Sequence, residues 1–93
     1  MISTDPMPNH FVYILESTGG KFYTGYTTDI DRRMEEHKIG KGSKFVRAFG
    51  FKRLLYHEEY KTKPKAMQRE REIKNLTRAQ KELLVRGETI DYF

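Results

Sequence analysis

The fold is decided by the stretch Phe11-Val12-Tyr13-Ile14-Leu15-Glu16-Ser17-Thr18-Gly19-Gly20-Lys21-Phe22-Tyr23-Thr24-Gly25-Tyr26-Thr27. Phe11 to Glu16 reads as a strand, apolar or aromatic on both alternating faces, which suits a central position in a sheet. Thr18-Gly19-Gly20 is a turn signal. Phe22 to Thr27, rich in aromatic and β-branched residues, reads as a second strand, and together the two predict an antiparallel hairpin. Its loop length decides the placing of the tyrosines. Directly opposed residues point the same way, so Tyr13 and Tyr23 share a face only if the loop holds an odd number of residues. A three-residue loop, Thr18-Gly19-Gly20, meets that condition and sets Gly25 opposite Tyr13, leaving space above the ring. A two-residue Gly-Gly loop would put the tyrosines on opposite faces.

Downstream of the hairpin, Thr28 or Asp29 can cap a helix that runs to about Lys38, with Asp29 and Asp31 near its positive end. Gly40 and Gly42 end it. Phe51 to Tyr60 reads as a third strand centred on Leu54, Leu55 and Tyr56. Thr62 can cap a helix that runs to about Asn75, with Pro64 tolerated in its first turn. Thr77 and Gln80 match a capping box, so a last helix starts there and stops before Gly87. The expected class is α/β (α+β): a small three-stranded, mainly antiparallel sheet flanked by helices, in the order β-β-α-β-α-α.

The chain has 93 residues and 11.1 kDa, which suits one domain. We expect a disordered N-terminal tail over residues 1–10, a single domain over 11–86 and a C-terminal tail over 87–93. Cysteine is absent, so there is no disulfide framework, thiolate zinc site or cysteine nucleophile. Apolar content is only 37%, but the 6 Tyr and 6 Phe bury much area per residue and make a small core feasible. No apolar run approaches the length of a membrane span, and the N-terminus has no secretory signal. A cytoplasmic monomer is the expectation.

Charge is unevenly placed. The net charge is +5, yet residues 1–40 carry net −2 and residues 41–93 net +7. From Lys38 to Arg53 there are six basic residues and no acid: Lys38, Lys41, Lys44, Arg47, Lys52 and Arg53. Phe45, Phe49 and Phe51 lie among them. Cations for phosphates and rings free to stack suit nucleic acid; a solvated basic loop with core aromatics is the plainer reading. The segment is expected beside the tyrosine-bearing sheet face.

Polar residues that break the apolar pattern are the informative ones. In the first helix Ile30 and Met34 form the stripe, with Arg33 and His37 sharing a flanking face. In the later helix Ala66 and Ile73 mark the inner face, and Glu70 falls on it. Inward charges are costly unless paired or bound to an ion. Arg33 and Glu70 could simply form a structural salt bridge, and His37 could cap helix carbonyls. His57-Glu58 lacks the second His of a zinc-protease motif, and no GxxxxGK[ST] loop exists.

Val12-Tyr13-Ile14, Phe22-Tyr23-Thr24-Gly25, Arg33, His37 and Glu70 together resemble the GIY-YIG nuclease superfamily, over about Phe11 to Val85. The likeness is strongest to its small standalone bacterial members. The triplets are degenerate, Phe-Val-Tyr for GIY and Tyr-Thr-Gly for YIG. No Asn follows Asn75, whereas many catalytic relatives carry one beyond the glutamate's helix.

The resemblance implies phosphodiester hydrolysis with one divalent metal, Mg²⁺ or Mn²⁺. By it Tyr13, Tyr23, Arg33 and His37 are catalytic, Glu70 is the metal ligand and Gly25 is the motif glycine. The chemistry is coherent. A hard cation needs oxygen ligands and acts as a Lewis acid on phosphate. Arg33 can clamp phosphate oxygens. Either tyrosine could take the proton of the attacking water. The expected function is therefore a metal-dependent DNA endonuclease, structure-selective and engaged in DNA repair or processing. A non-catalytic nucleic-acid-binding module of the same fold, or a protein-interaction domain, are the alternatives.

Overall fold

The computed structural model describes residues 9–88. The elements are β1 (His10–Glu16), β2 (Phe22–Thr27), α1 (Ile30–Lys38), α2 (Lys44–Phe49), β3 (Arg53–Tyr60), α3 (Lys63–Lys74) and α4 (Arg78–Val85). The three strands form one antiparallel sheet in the order β2-β1-β3. The α+β class and the expected succession of strands and helices are present. Residues 1–8 of the expected N-terminal tail and 89–93 of the expected C-terminal tail lie outside the described residues. Within them, β1 begins at His10, one residue earlier than read.

The hairpin loop has three residues. Ser17 N–H donates to the Lys21 carbonyl at 2.8 Å, and the register pairs Tyr13 with Gly25. Gly20, at φ 82°, takes the left-handed position that such a loop requires. Tyr13 and Tyr23 therefore share a face, and the two-residue loop is excluded.

β1 is central because both of its faces are covered. Val12 and Ile14 pack with Ala66 and Ile73 of α3 and with Leu76, with Leu84 and Val85 of α4 against them. Tyr13 and Leu15 pack on the opposite face with Met34 of α1 and Val46 of α2. Strand β3 carries a β-bulge opposite Ile14 and Leu15, which locally resets its alternation.

Helix α2 is an addition to the expected order. Ser43 caps it by accepting from Val46 N–H at 3.0 Å, and Gly50 at φ 83° ends it. Its only buried residue is Val46, so its apolar stripe is too short to stand out among the basic residues. β3 accordingly starts at Arg53, after Phe51. The other boundaries follow local chemistry. Asp29 caps α1 by accepting from Arg32 N–H at 3.0 Å, and Thr77 with Gln80 closes a capping box on α4. Thr62 sits at the N-cap of α3 without a side-chain bond.

Candidate active site

Tyr13, Tyr23 and His37 meet on the α1/α2 face of the sheet. The Tyr13 and Tyr23 ring centroids are 6.2 Å apart, and each packs edge-on against His37, at 5.8 and 5.6 Å. Phe51 stacks on the far side of His37 at 6.4 Å, and Phe45 stacks on Tyr23 at 5.6 Å. His37 reaches this floor because it is one turn after Arg33 on the inner side of α1, where Met34 is also buried.

The two tyrosines differ. Tyr13 is fully buried, and its hydroxyl lies 2.8 Å from His37 Nε2. Burial pushes its pKa well above the usual phenol value; Tyr23 adds to this, while Arg33 pulls the other way. Tyr23 is half-buried, and its hydroxyl has no hydrogen bond among the described residues. Burial, then the Arg33 charge, push the His37 pKa below its ordinary value, so its ring is held neutral. Its Nδ1 is buried without a partner. His37 thus does not act as a helix-capping cation.

Arg33 is half-buried. It donates from Nε to Glu36 at 2.9 Å and from Nη1 to the Tyr26 carbonyl at 3.1 Å. Burial works against its charge, but contact with Tyr13 and Glu36 more than offsets that. It makes no pair with Glu70, so the structural salt bridge considered from the sequence is not formed. Glu70 instead pairs with Lys74, one turn on, at 3.3 Å.

Two glycines hold this floor closed. A Cβ on Gly25 would fall on the Tyr13 hydroxyl oxygen and 2.6 Å from its Cζ. A Cβ on Gly42 would fall on His37 Nδ1 and 2.6 Å from Cε1. Gly25 was expected above Tyr13. Gly42 was read only as part of a helix stop, because nothing in the sequence marks which loop residue will cover His37.

Glu70 is buried on the inner face of α3 with Ala66 and Ile73, as its spacing predicts. Helix α3 covers the face opposite to Tyr13, yet the Glu70 charge still contributes to the upward shift of the Tyr13 pKa. Its Oε2 is taken by Lys74, and its Oε1 has no partner among the described residues. Among those residues no three His, Asp or Glu side chains cluster. The donor set therefore fits a hard cation that takes one protein carboxylate and fills its shell from water and substrate oxygens, as Mg²⁺ or Mn²⁺ does.

The basic residues divide. Lys41, Lys44 and Arg47 line one cavity of about 470 Å³ with Gly40 and Ser43. Helix α2, which carries Lys44 and Arg47, packs on the tyrosine face through Val46 and Phe45, as expected. Lys38 is exposed and paired with Glu35 at 3.0 Å, and Lys52 is exposed. Arg53 departs from the expectation. It pairs with Glu16 at 2.8 Å, and Glu16 alternates with Val12 and Ile14 onto the α3/α4 face. The strand's parity turns Arg53 away from the tyrosines.

The profile of the GIY-YIG catalytic domain matches residues 9–83. The chain belongs to the GIY-YIG family. It is 51% identical over 77 residues to the UPF0213 protein BH0048 of Halalkalibacterium halodurans, covering 83% of this chain and 82% of that one. It is 47% identical over 81 residues to the UPF0213 protein NP_0776A of Natronomonas pharaonis, covering 87% and 95%. A UPF0213 protein of Staphylococcus aureus is 42% identical over 80 residues, covering 86% and 98%. The solution NMR structure of the UPF0213 protein BH0048 from Bacillus halodurans superposes with a TM-score of 0.56 at 49% identity, over 85% of this chain and 84% of that one. The nuclease fold and the small-protein context of the resemblance are thus shown, and family membership brings divalent-metal and nucleic-acid chemistry as the general setting. Among the described residues no helix is long and apolar enough to cross a membrane.

Proposed function

We propose that this GIY-YIG protein is a divalent-metal-dependent endonuclease that hydrolyses phosphodiester bonds in DNA, selects branched or flapped structures, and works in cytoplasmic DNA repair or processing. The observation that carries the reading is the meeting of Tyr13, Tyr23 and His37 on one sheet face beside Arg33, with Glu70 held inward on α3. A docking domain has no need of a carboxylate held on the inner face of α3 between Ala66 and Ile73.

In this reading Glu70 is the carboxylate ligand, and a cation bound there supplies Lewis-acid polarisation of the phosphate and stabilises the leaving oxygen. Arg33, anchored by Glu36 and the Tyr26 carbonyl, faces the phosphate and compensates charge that develops on its oxygens. Tyr23 is the tyrosine open to water, so its hydroxyl orients the attacking water and takes the water's proton as its own hydroxyl proton passes to solvent. Tyr13 is sealed between Gly25, His37 and Arg33 and acts as a positioning residue, fixing both cationic and imidazole partners. Lys41, Lys44 and Arg47 continue the phosphate track at α2, with the exposed Lys38 and Lys52 as further contacts.

The test is cleavage of flapped, branched and single-stranded DNA, and of RNA, at low salt with Mg²⁺, Mn²⁺ or EDTA. Metal-dependent cutting of DNA supports the reading. Binding without cutting under all conditions would replace it with a non-catalytic nucleic-acid-binding module.

A further inference from the structure

The half-buried arginines of this protein are neutralised: Arg33 and Arg69 each meet a carboxylate. Lys81 does not. It is half-buried on α4, and no ion pair or hydrogen bond engages it among the described residues. Burial first, and then the charge of Arg78, push its pKa below the ordinary lysine value. The fold bears a cost here without an internal gain.

Lys81 lines a cavity of about 310 Å³ with Lys21, Phe22, Phe45 and Arg78. Three side chains are cationic, two are aromatic, and none is a carboxylate. Glu82, the next residue on α4, is turned to Arg78 and bonds its Nε at 3.1 Å. Arg78 is locked in place: its guanidinium carbon sits 3.7 Å from the Phe22 ring centroid, and its Nη1 donates to the Gly20 carbonyl at 2.9 Å. Lys21 reaches over the exposed Phe49 ring, 5.3 Å from its centroid. Such a corner attracts an anion that also carries a flat or apolar body.

Its position relates it to the candidate active site. The cavity lies at β2, an edge strand, and Phe45 in its wall stacks directly on Tyr23 at 5.6 Å. One ring therefore separates the cavity from the tyrosine assigned to the attacking water. We propose that Lys81, with Lys21 and Arg78, holds a phosphate of the bound nucleic-acid strand next to the scissile position, with the attached nucleotide resting on Phe45. None of these three cations belongs to the run Lys38–Arg53, so the strand path turns toward α4 and the hairpin. The inference rests on the nucleic-acid reading of the Tyr23 and Arg33 site and adds a direction to it.

The test is equilibrium binding of a short fluorescein-labelled DNA oligonucleotide in EDTA across a salt series. Wild type is compared with Lys81→Gln, Lys81→Arg, Lys21→Gln and the control Lys65→Gln, an exposed lysine on α3. Loss of one phosphate contact lowers the slope of log Kd against log salt by about one and weakens low-salt binding about three- to tenfold. Lys81→Gln and Lys21→Gln are expected to show this, Lys81→Arg to retain the wild-type slope, and Lys65→Gln to change little. A lysine that merely covers Phe45 with its alkyl stem would alter thermal stability and leave the slope alone. Salt-dependent wild-type binding with an unchanged Lys81→Gln slope overturns the phosphate corner and leaves the nucleic-acid reading intact. Absence of wild-type binding at low salt overturns both.

Discussion

The Tyr13 hydroxyl of β1 lies 2.8 Å from His37 Nε2 in the last turn of α1, joining two elements through a pair of buried side chains. The other ring nitrogen of His37 has no partner and is covered by Gly42. Protonating His37 would add a charge beside Arg33 and still leave Nδ1–H unsatisfied, so the folded protein holds the ring neutral.

A pH dependence follows. The folded pKa of His37 is below the unfolded value of about 6.5, so between the two the unfolded chain binds more protons. Stability is expected to be full above about pH 6.5 and to fall as pH drops below it. Denaturant unfolding at pH 7.5 and at pH 5.5 measures this, and in His37→Gln the difference should shrink. An unchanged difference in that variant would remove His37 as its source.

Gly25 has ordinary backbone angles, so its requirement is space and not conformation. Gly25→Ala should displace Tyr13 and destabilise the protein by about 1–3 kcal/mol, the usual cost of overpacking. Thermal or urea unfolding reads the loss. A variant as stable as wild type would show that the Tyr13 ring can yield.

The two tyrosines should separate by readout. Tyr23→Phe removes an exposed-side hydroxyl, and cleavage should fall at least about 100-fold with stability unchanged. Tyr13→Phe leaves His37 Nε2 buried without its partner and should cost about 1–3 kcal/mol of stability as well as activity. If Tyr13→Phe is neutral in unfolding and Tyr23→Phe still cuts, the assigned roles are reversed or wrong.

Lys41, Lys44 and Arg47 share one cavity, whereas Arg53 is turned to the other sheet face. Replacing each of the three with Gln should weaken DNA binding and flatten its salt dependence by about one contact apiece. Arg53→Gln should leave that slope unchanged. Equal effects at all four positions would mean that bulk charge, not this surface, attracts the strand.

Much of this arrangement is legible in the residues because its period is short. Loop parity alone, through the odd length of Thr18-Gly19-Gly20, places Tyr13, Tyr23 and Gly25 together. The i, i+4 step from Arg33 to His37 and the flanking of Glu70 by Ala66 and Ile73 set the inner faces of two helices. Helix α2 escapes such reading because its signal is a single buried valine among basic residues. The direction of Arg53 depends on a parity that becomes fixed only once β3 is known to start there, after a bulged pairing with β1. Gly42 over His37 depends on the path of the loop after α1, and the meeting of Lys81 with Lys21 and Phe45 on contacts between segments far apart in the chain, neither of which a local pattern encodes.

The most direct test of the central claim sets wild type beside Glu70→Ala on a flapped DNA substrate in Mg²⁺, with binding measured in parallel. With Glu70 proposed as the carboxylate ligand, the account predicts that the variant binds the DNA as tightly as wild type and does not cut it. A wild type that cuts and a Glu70→Ala variant that cuts equally well would contradict it.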